Sequence, residues 1–533
     1  MSAAELAREA GAIDAAAGIA LLLGPWAAGR AGTFRRGFGL GLVLVAWVVL
    51  AISLVSRDDL EGAADRLSQP VWAVAAAAGV IGGAALFVLC VRVVLWRPWT
   101  WFALLGLALP VRVPVPVGGE TRNLLLPLYA VLLIGLAAWI WGRARGRLEG
   151  AFESSTLLDL PIAAFVGFSL ISVLWSGDTR EAAVKAVFFY IPFVLLYRLV
   201  LAWWRRADAA RVLVATTIAM AVPVAVLALG QYAARWTFWN DRLEQSNIYS
   251  RFFRVNGIFF DPNILGRYLV LAIAAAVAVA WLARTRGLVA LMGIACAVLA
   301  AGVMVTFSRS SALALILALV IMAIRAFGWR RVTLIGGGLA VVLSAGVIAT
   351  SQNVKHAVTD SDRLERVSEG RFDLVKGGLE LWAKEPVTGT GLGAFAVRYE
   401  ESLTQEERNR TRVIISHNAP ITILTEVGIV GFALFVALCV AGVVVLRRSA
   451  GAGAASRELA RSGTPDARGW AAWTALAMLA GIFIHSLLYA ALVEDPYTWV
   501  IAAAGVAVGG TALARQPAVE ARPAPTEILP SAS

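Results

Sequence analysis

Three short stretches carry residues whose types and spacing suit chemistry on an anion. Thr306-Phe307-Ser308-Arg309-Ser310-Ser311 joins one long apolar run to the next. A helix opening there would present free N–H groups and a partial positive charge. Arg309 and the hydroxyls, Ser310 among them, would complete a cradle for pyrophosphate, because a planar guanidinium grips two oxygens at once. An arginine anchoring a helix end at a membrane interface beside capping serines accounts for the same residues. The second stretch runs from Arg251 to Asn263, with Arg251 and Arg254 among aromatics and Asp261-Pro262-Asn263 as a helix-start signal. It reads equally as an amphipathic segment on the lipid surface or as part of a substrate site. The third is His417-Asn418, just before Pro420. Arginines nearby and a helix terminus would depress the imidazole pKa and leave the neutral base that proton abstraction needs. The plainer alternative is an interfacial histidine capping a helix with Asn418. His356 and His485 read as structural, and three scattered histidines do not make a metal site.

The elements that must position these residues are membrane helices. Hydrophobic residues make up 59% of the 533 and charged residues only 15%, and the apolar residues fall in long blocks. Spanning candidates lie at about 38–55, 71–91, 98–113, 122–142, 157–175, 184–204, 210–231, 263–283, 287–306, 309–327, 332–350, 420–446, 469–491 and 497–514. The fold class is therefore an all-α polytopic membrane protein of about fourteen helices. The net charge of +12 would suit nucleic acid, but the positive residues sit mainly in short turns between apolar blocks, which is the pattern of cytoplasmic loops. If Arg143, Arg145 and Arg147 lie inside, strict alternation puts Arg205-Arg206, Arg284 with Arg286, Arg330-Arg331 and Arg447-Arg448 inside too. The same alternation places 232–262, 351–419 and the turns holding Asp58-Asp59 and Asp178 outside, with Arg254, Arg309 and His417 on that outer face.

The chain divides into N-terminal helices (1–97), a transmembrane core with an outer loop at 232–262 (98–350), a large outer loop (351–419), C-terminal spanning helices (420–514) and a Pro/Ala-rich cytoplasmic tail (515–533). Residues 1–29 read as an amphipathic or weakly inserted helix with no basic leader. Within the large loop a soluble helix is expected at about 368–384, with Phe372, Val375, Leu379 and Trp382 on one face and a Glu380–Lys384 pair on the other. Gly389-Thr390-Gly391-Leu392-Gly393 follows no strand and has the wrong spacing for a nucleotide loop, so its glycines read as tight turns. Cys90, Cys296 and Cys439 each lie within an apolar block and read as packing residues.

Taken together these pieces resemble the O-antigen ligase/polymerase superfamily of bacterial envelope glycosyltransferases. The resemblance covers roughly 98–514. It rests on Leu174-Trp175-Ser176-Gly177-Asp178, Arg254 with Gly257-Ile258-Phe259 and Asp261-Pro262-Asn263, and Phe307-Ser308-Arg309. It also rests on Arg371 through Trp382 with Pro386 and the glycine run, and on His417-Asn418 with Glu426-Val427-Gly428. The two helices at 38–55 and 71–91 lie beyond the usual twelve-helix core. The resemblance implies metal-independent, inverting transfer of a glycan from a polyprenyl-pyrophosphate carrier to a lipid or glycan acceptor, with no cofactor and no nucleotide or nucleic-acid partner. It implies an active site on the outer face of the bacterial cytoplasmic membrane. Arg309 and Arg254 would hold the pyrophosphate and His417 would activate the acceptor hydroxyl. Arg371 would contact the donor or brace the loop, and Ser310, Asn418, Arg251 and Asn263 would support. A polymerase of the same family is the nearest alternative. A lipid-linked glycan transporter would require polar groups at mid-membrane, which the nearly uncharged helix interiors lack.

Overall fold

The computed structural model describes residues 68–117, 120–145, 156–204, 208–238, 240–250, 252–336, 371–405, 408, 418–451, 466–489 and 491–509. The expected span at 38–55, most of that at 332–350, and the 1–29 and 515–533 segments lie outside them.

In chain order the elements are α1 (Pro70–Trp96), α2 (Trp99–Ala108), strands β1 (Val113–Val117) and β2 (Glu120–Leu124), α3 (Leu126–Ala144) and α4 (Asp159–Ile171), which ends in a tight turn at Ser172–Trp175. Next come α5 (Thr179–Lys185), continued through a widened turn (Ala186–Tyr190) into α6 (Ile191–Trp204), then α7 (Ala209–Ala234), α8 (Asp241–Tyr249), α9 (Pro262–Leu282), α10 (Arg286–Val305) and α11 (Arg309–Phe327). The loop helices α12 (Arg371–Lys384) and α13 (Phe395–Ser402) precede α14 (Ala419–Gly451), α15 (Ala467–Ser486) and α16 (Pro496–Gly509). Among the described residues nine helices are long and apolar enough to cross a membrane, and three shorter apolar ones lie at Trp99–Ala108, Asp159–Trp175 and Pro496–Val508. The chain is a multi-pass membrane protein.

Helix α9 is the axis of the bundle. Almost every residue from Leu265 to Ala276 is buried, and it packs against α10, α15, α7 and α11. A helix apolar on every side belongs inside a bundle. Around it α10, α11 and α14 turn Leu291, Ile294, Leu313, Ile316 and Val440 outward, the apolar surface a lipid solvent requires.

Three expectations are corrected. The fold is not purely helical, because β1 and β2 form an antiparallel hairpin where the expected spans 98–113 and 122–142 meet, with Pro114 opposite Asn123 and Pro116 opposite Thr121. A two-stranded hairpin is all edge, so it tolerates alternate prolines. Helix α12 forms as expected, but its buried side carries Leu374, Gly378 and Leu381, while Leu379 is exposed. The reason is close approach: a Cβ at Gly377 would strike the Tyr399 ring and one at Gly378 would strike Ile421, so the glycines choose the packed face. Glu380 accordingly pairs with Lys376, at 3.9 Å, rather than with Lys384.

The glycine run is a seam. Gly391 donates its N–H to Glu426 O at 2.8 Å and Thr390 its N–H to Thr425 O at 3.0 Å, while Ser176 Oγ donates to Leu392 O at 2.7 Å. Helix α14 breaks at Gly428 (φ 61°), and Ile429 N finds the Pro386 carbonyl at 2.9 Å instead of a helical partner. A Cβ on Gly391 (φ +90°) would collide with the backbone of Ser176. We expect Gly391→Ala to lower the thermal midpoint of detergent-solubilised protein, since the φ alone costs ~1–3 kcal/mol and backbone cannot swing aside. Gly293→Ala, whose Cβ would meet nothing within 4 Å, serves as the neutral control.

Candidate functional site

Two helix starts are tied into one cradle. At the first, the Asp261 carboxylate accepts from Asn263 N at 2.6 Å, with Pro262 at the opening position of α9. At the second, Ser308 caps α11, its hydroxyl accepting from Ser311 N at 3.3 Å. The Asn263 side chain joins them: its Oδ1 accepts from Ser308 Oγ at 2.7 Å and from Arg254 Nη2 at 3.3 Å. Arg254 also donates through Nε to Thr306 O at 3.0 Å, and Asn247 pins its backbone at both N and O at 2.9 Å. Those side-chain bonds use two of the five guanidinium donors, so the remaining edge can serve an anion. Ser310 and Ser311 turn their hydroxyls onto Ser308 Oγ, at 3.1 and 2.9 Å. Arg309 stands exposed at the first position of α11.

The turn between α10 and α11 is strained. Phe307 has φ 50°, a left-handed conformation uncommon for a bulky residue, and its ring stacks on Phe252 with centroids 4.9 Å apart. Such strain gathers where a site must be pre-shaped. Tyr232, which packs against the Phe307 ring, and Phe253 both receive Arg235 across their faces, an aromatic cluster beside the cradle.

Beneath the cradle lies a layer that sequence reasoning missed. His485, read as structural within an apolar run, is fully buried, and its Nε2 lies 3.2 Å from Asn263 O. A carbonyl oxygen needs a donor, so Nε2 carries the proton. One turn into α9, Arg267 is buried and pairs with Asp495 at 2.7 Å while donating to Ala491 O at 2.9 Å. Ala491 itself has φ 88°. Tyr489 bonds to the Asp261 side chain, and burial holds its phenol well above the usual range, so it stays a donor. The signal for Arg267 was present, an ionisable residue inside an apolar helix. His485 had none, because its partner is 222 residues away. We expect His485→Ala to cost ~1–3 kcal/mol of stability by orphaning a buried carbonyl. His485→Gln, which can place an amide donor near the same spot, should recover most of it, and thermal unfolding of the two variants compares them directly.

Of the expected site residues, Arg254, Asn263, Arg309 and Ser310 meet at the two helix starts. His417 and Arg251 lie outside the described residues. Arg371 opens α12, but its side chain is likewise outside them. Asn418, adjacent to His417, caps α14 by accepting from Ile421 N at 3.1 Å and donates to Leu487 O at 3.0 Å. Leu487 is two residues from His485, so the start of α14 shares the bundle end that holds the cradle. Nearby, Lys185 grips both carboxylate oxygens of Glu426, at 2.8 and 3.0 Å, tying the turn after Trp175 to α14.

Comparison with curated proteins found no match. Residues 294–436, about a quarter of the chain, match the family model Wzy_C, whose description is O-antigen ligase. The matched span contains Arg309, the glycine seam, His417 and Asn418, and it stops short of Arg254 and Asn263. Over that span the chain is similar to the O-antigen ligase family.

Proposed function

We propose that the protein is a glycosyltransferase that moves a glycan from a polyprenyl-pyrophosphate carrier to an acceptor hydroxyl at the outer face of the cytoplasmic membrane. The observation that carries this reading is the Arg254–Asn263–Ser308 linkage, which fixes a guanidinium against the α11 N-terminus, where helix N–H groups and Arg309 add positive character. In the proposed reaction His417 takes the proton of the acceptor hydroxyl. Its oxygen then forms a bond to the anomeric carbon as that carbon's bond to the pyrophosphate oxygen breaks. The configuration inverts, and the leaving charge falls on Arg254, Arg309 and the α11 N–H groups, a preformed electrostatic environment. Ligation and polymerisation share this donor chemistry and differ only in the acceptor. Ligation is our reading, on the strength of the matched family's description.

The test uses purified protein in liposomes with a polyprenyl-pyrophosphate oligosaccharide and candidate acceptors, reading released polyprenyl pyrophosphate and product size. Single transfer onto a non-polyprenyl acceptor is expected, with His417→Ala inactive yet folded. A ladder retained on polyprenyl pyrophosphate would make it a polymerase, and passage of intact glycolipid across the bilayer without transfer would make it a transporter.

A further inference from the structure

Arg112, between α2 and the β1–β2 hairpin, has no part in the site so far. Its guanidinium lies over the Phe259 ring, 5.4 Å from the centroid, and Phe259 belongs to the same segment as Arg254 and Asp261. Its Nη1 is buried and, among the described residues, has no hydrogen-bond partner. The carboxylate that acts on it most strongly is Asp495, and that group is already committed to Arg267 at 2.7 Å, with both side chains almost completely buried. Two guanidinium groups thus share one carboxylate. Arginine stays charged at any physiological pH, so the surplus is a real charge. The Phe259 face offsets part of the desolvation but accepts no N–H in the plane of the guanidinium. A buried, unpaired donor of this kind calls for an explanation beyond packing.

We propose that Arg112 is an additional anion-binding residue of the cradle, its buried Nη1 taking a phosphoryl oxygen of a lipid-linked ligand beside the Asp261-Pro262-Asn263 helix start. This rests on the pyrophosphate reading for the ligand's identity but not for its chemistry. A bilayer phospholipid carries the same oxyanion, so the test has two arms.

Full-length protein is purified in detergent as wild type, Arg112→Gln, Arg112→Lys and Arg254→Ala. Binding of undecaprenyl pyrophosphate and, separately, of phosphatidylglycerol is followed by native mass spectrometry, with thermal midpoints recorded without ligand. Arg112→Gln is expected to weaken undecaprenyl pyrophosphate about ten- to a hundredfold, the range for a lost charge-assisted hydrogen bond. Its ligand-free midpoint should equal or exceed the wild type's, because the substitution removes an unpaired buried charge. Arg112→Lys keeps the charge without the fork and should lose several-fold, giving a second reading should the glutamine variant fold poorly. If undecaprenyl pyrophosphate binds no variant while phosphatidylglycerol binding depends on Arg112, the residue is an oxyanion site and the pyrophosphate reading falls. If Arg112→Gln and Arg112→Lys leave both affinities at wild-type values, the proposal is overturned, and ordered water satisfies Nη1.

Discussion

Arg254→Ala is expected to slow glycan transfer by ~10²–10³-fold, the usual effect of deleting one preorganised donor from a transition-state anion site. The magnitude follows from what Arg254 does besides carry charge. It donates to Thr306 O and Asn263 Oδ1, so it is held in place before substrate arrives and loses little freedom on binding. Its removal also frees Asn263, the acceptor that links Ser308 to the start of α9. The loss should therefore fall on turnover more than on the donor concentration required, because an interaction that strengthens as charge develops lowers kcat when it goes. Arg254→Lys separates charge from geometry. A lysine ammonium cannot reproduce the planar fork that meets Thr306 O, Asn263 Oδ1 and an anion together, so it should recover only part of the rate. Initial rates of polyprenyl pyrophosphate release in the liposome assay measure both variants. A wild-type rate from Arg254→Ala would remove the cradle from the reaction and leave its network as a helix-end brace.

What could be read from the sequence follows the range of the forces involved. Helix starts are local, so Asp261-Pro262-Asn263 and Ser308-Arg309 declared themselves, and both caps form as the residue types dictate. The apolar blocks were legible for the same reason, since each spanning helix reports its own composition. The face of α12 was misread because periodicity weighs side chains, whereas Gly377 and Gly378 were selected by how closely Tyr399 and Ile421 approach. The hairpin was hidden inside a short turn whose prolines argue against strand. The layer under the cradle was illegible in a stronger sense. Nothing near His485 names Asn263, nothing near Asp495 names Arg267, and no local rule marks Arg112 as left over. These are contacts between distant segments, and they appear only once α9, α15 and α16 are packed together.

The Arg267–Asp495 pair gives the largest expected effect on folding. The two side chains are 4% and 2% exposed, 2.7 Å apart, and join the first turns of α9 to the start of α16. Separating the partners by substituting one leaves a buried charge uncompensated, at ~3–5 kcal/mol. Asp495→Asn isolates that electrostatic part. The Asn side-chain oxygen can still accept from Tyr497 N, as Asp495 Oδ1 does at 2.9 Å, so the helix start is retained while the charge is lost. It also deprives Arg112 of the carboxylate it shares with Arg267, so this substitution should cost more than Arg267→Met, which leaves Asp495 facing Arg112. The doubly substituted Arg267→Met/Asp495→Asn protein, measured in the same thermal unfolding series, should be more stable than the sum of the single losses, because neither variant partner then strands the other. Strict additivity would show that the two residues act separately, and would leave α9 and α16 joined by apolar packing alone. Positive coupling would mean that the charge balance under the cradle is a structural element, set by one acid between two arginines. Any anion bound at Arg112 would then stabilise the fold as well as the reaction.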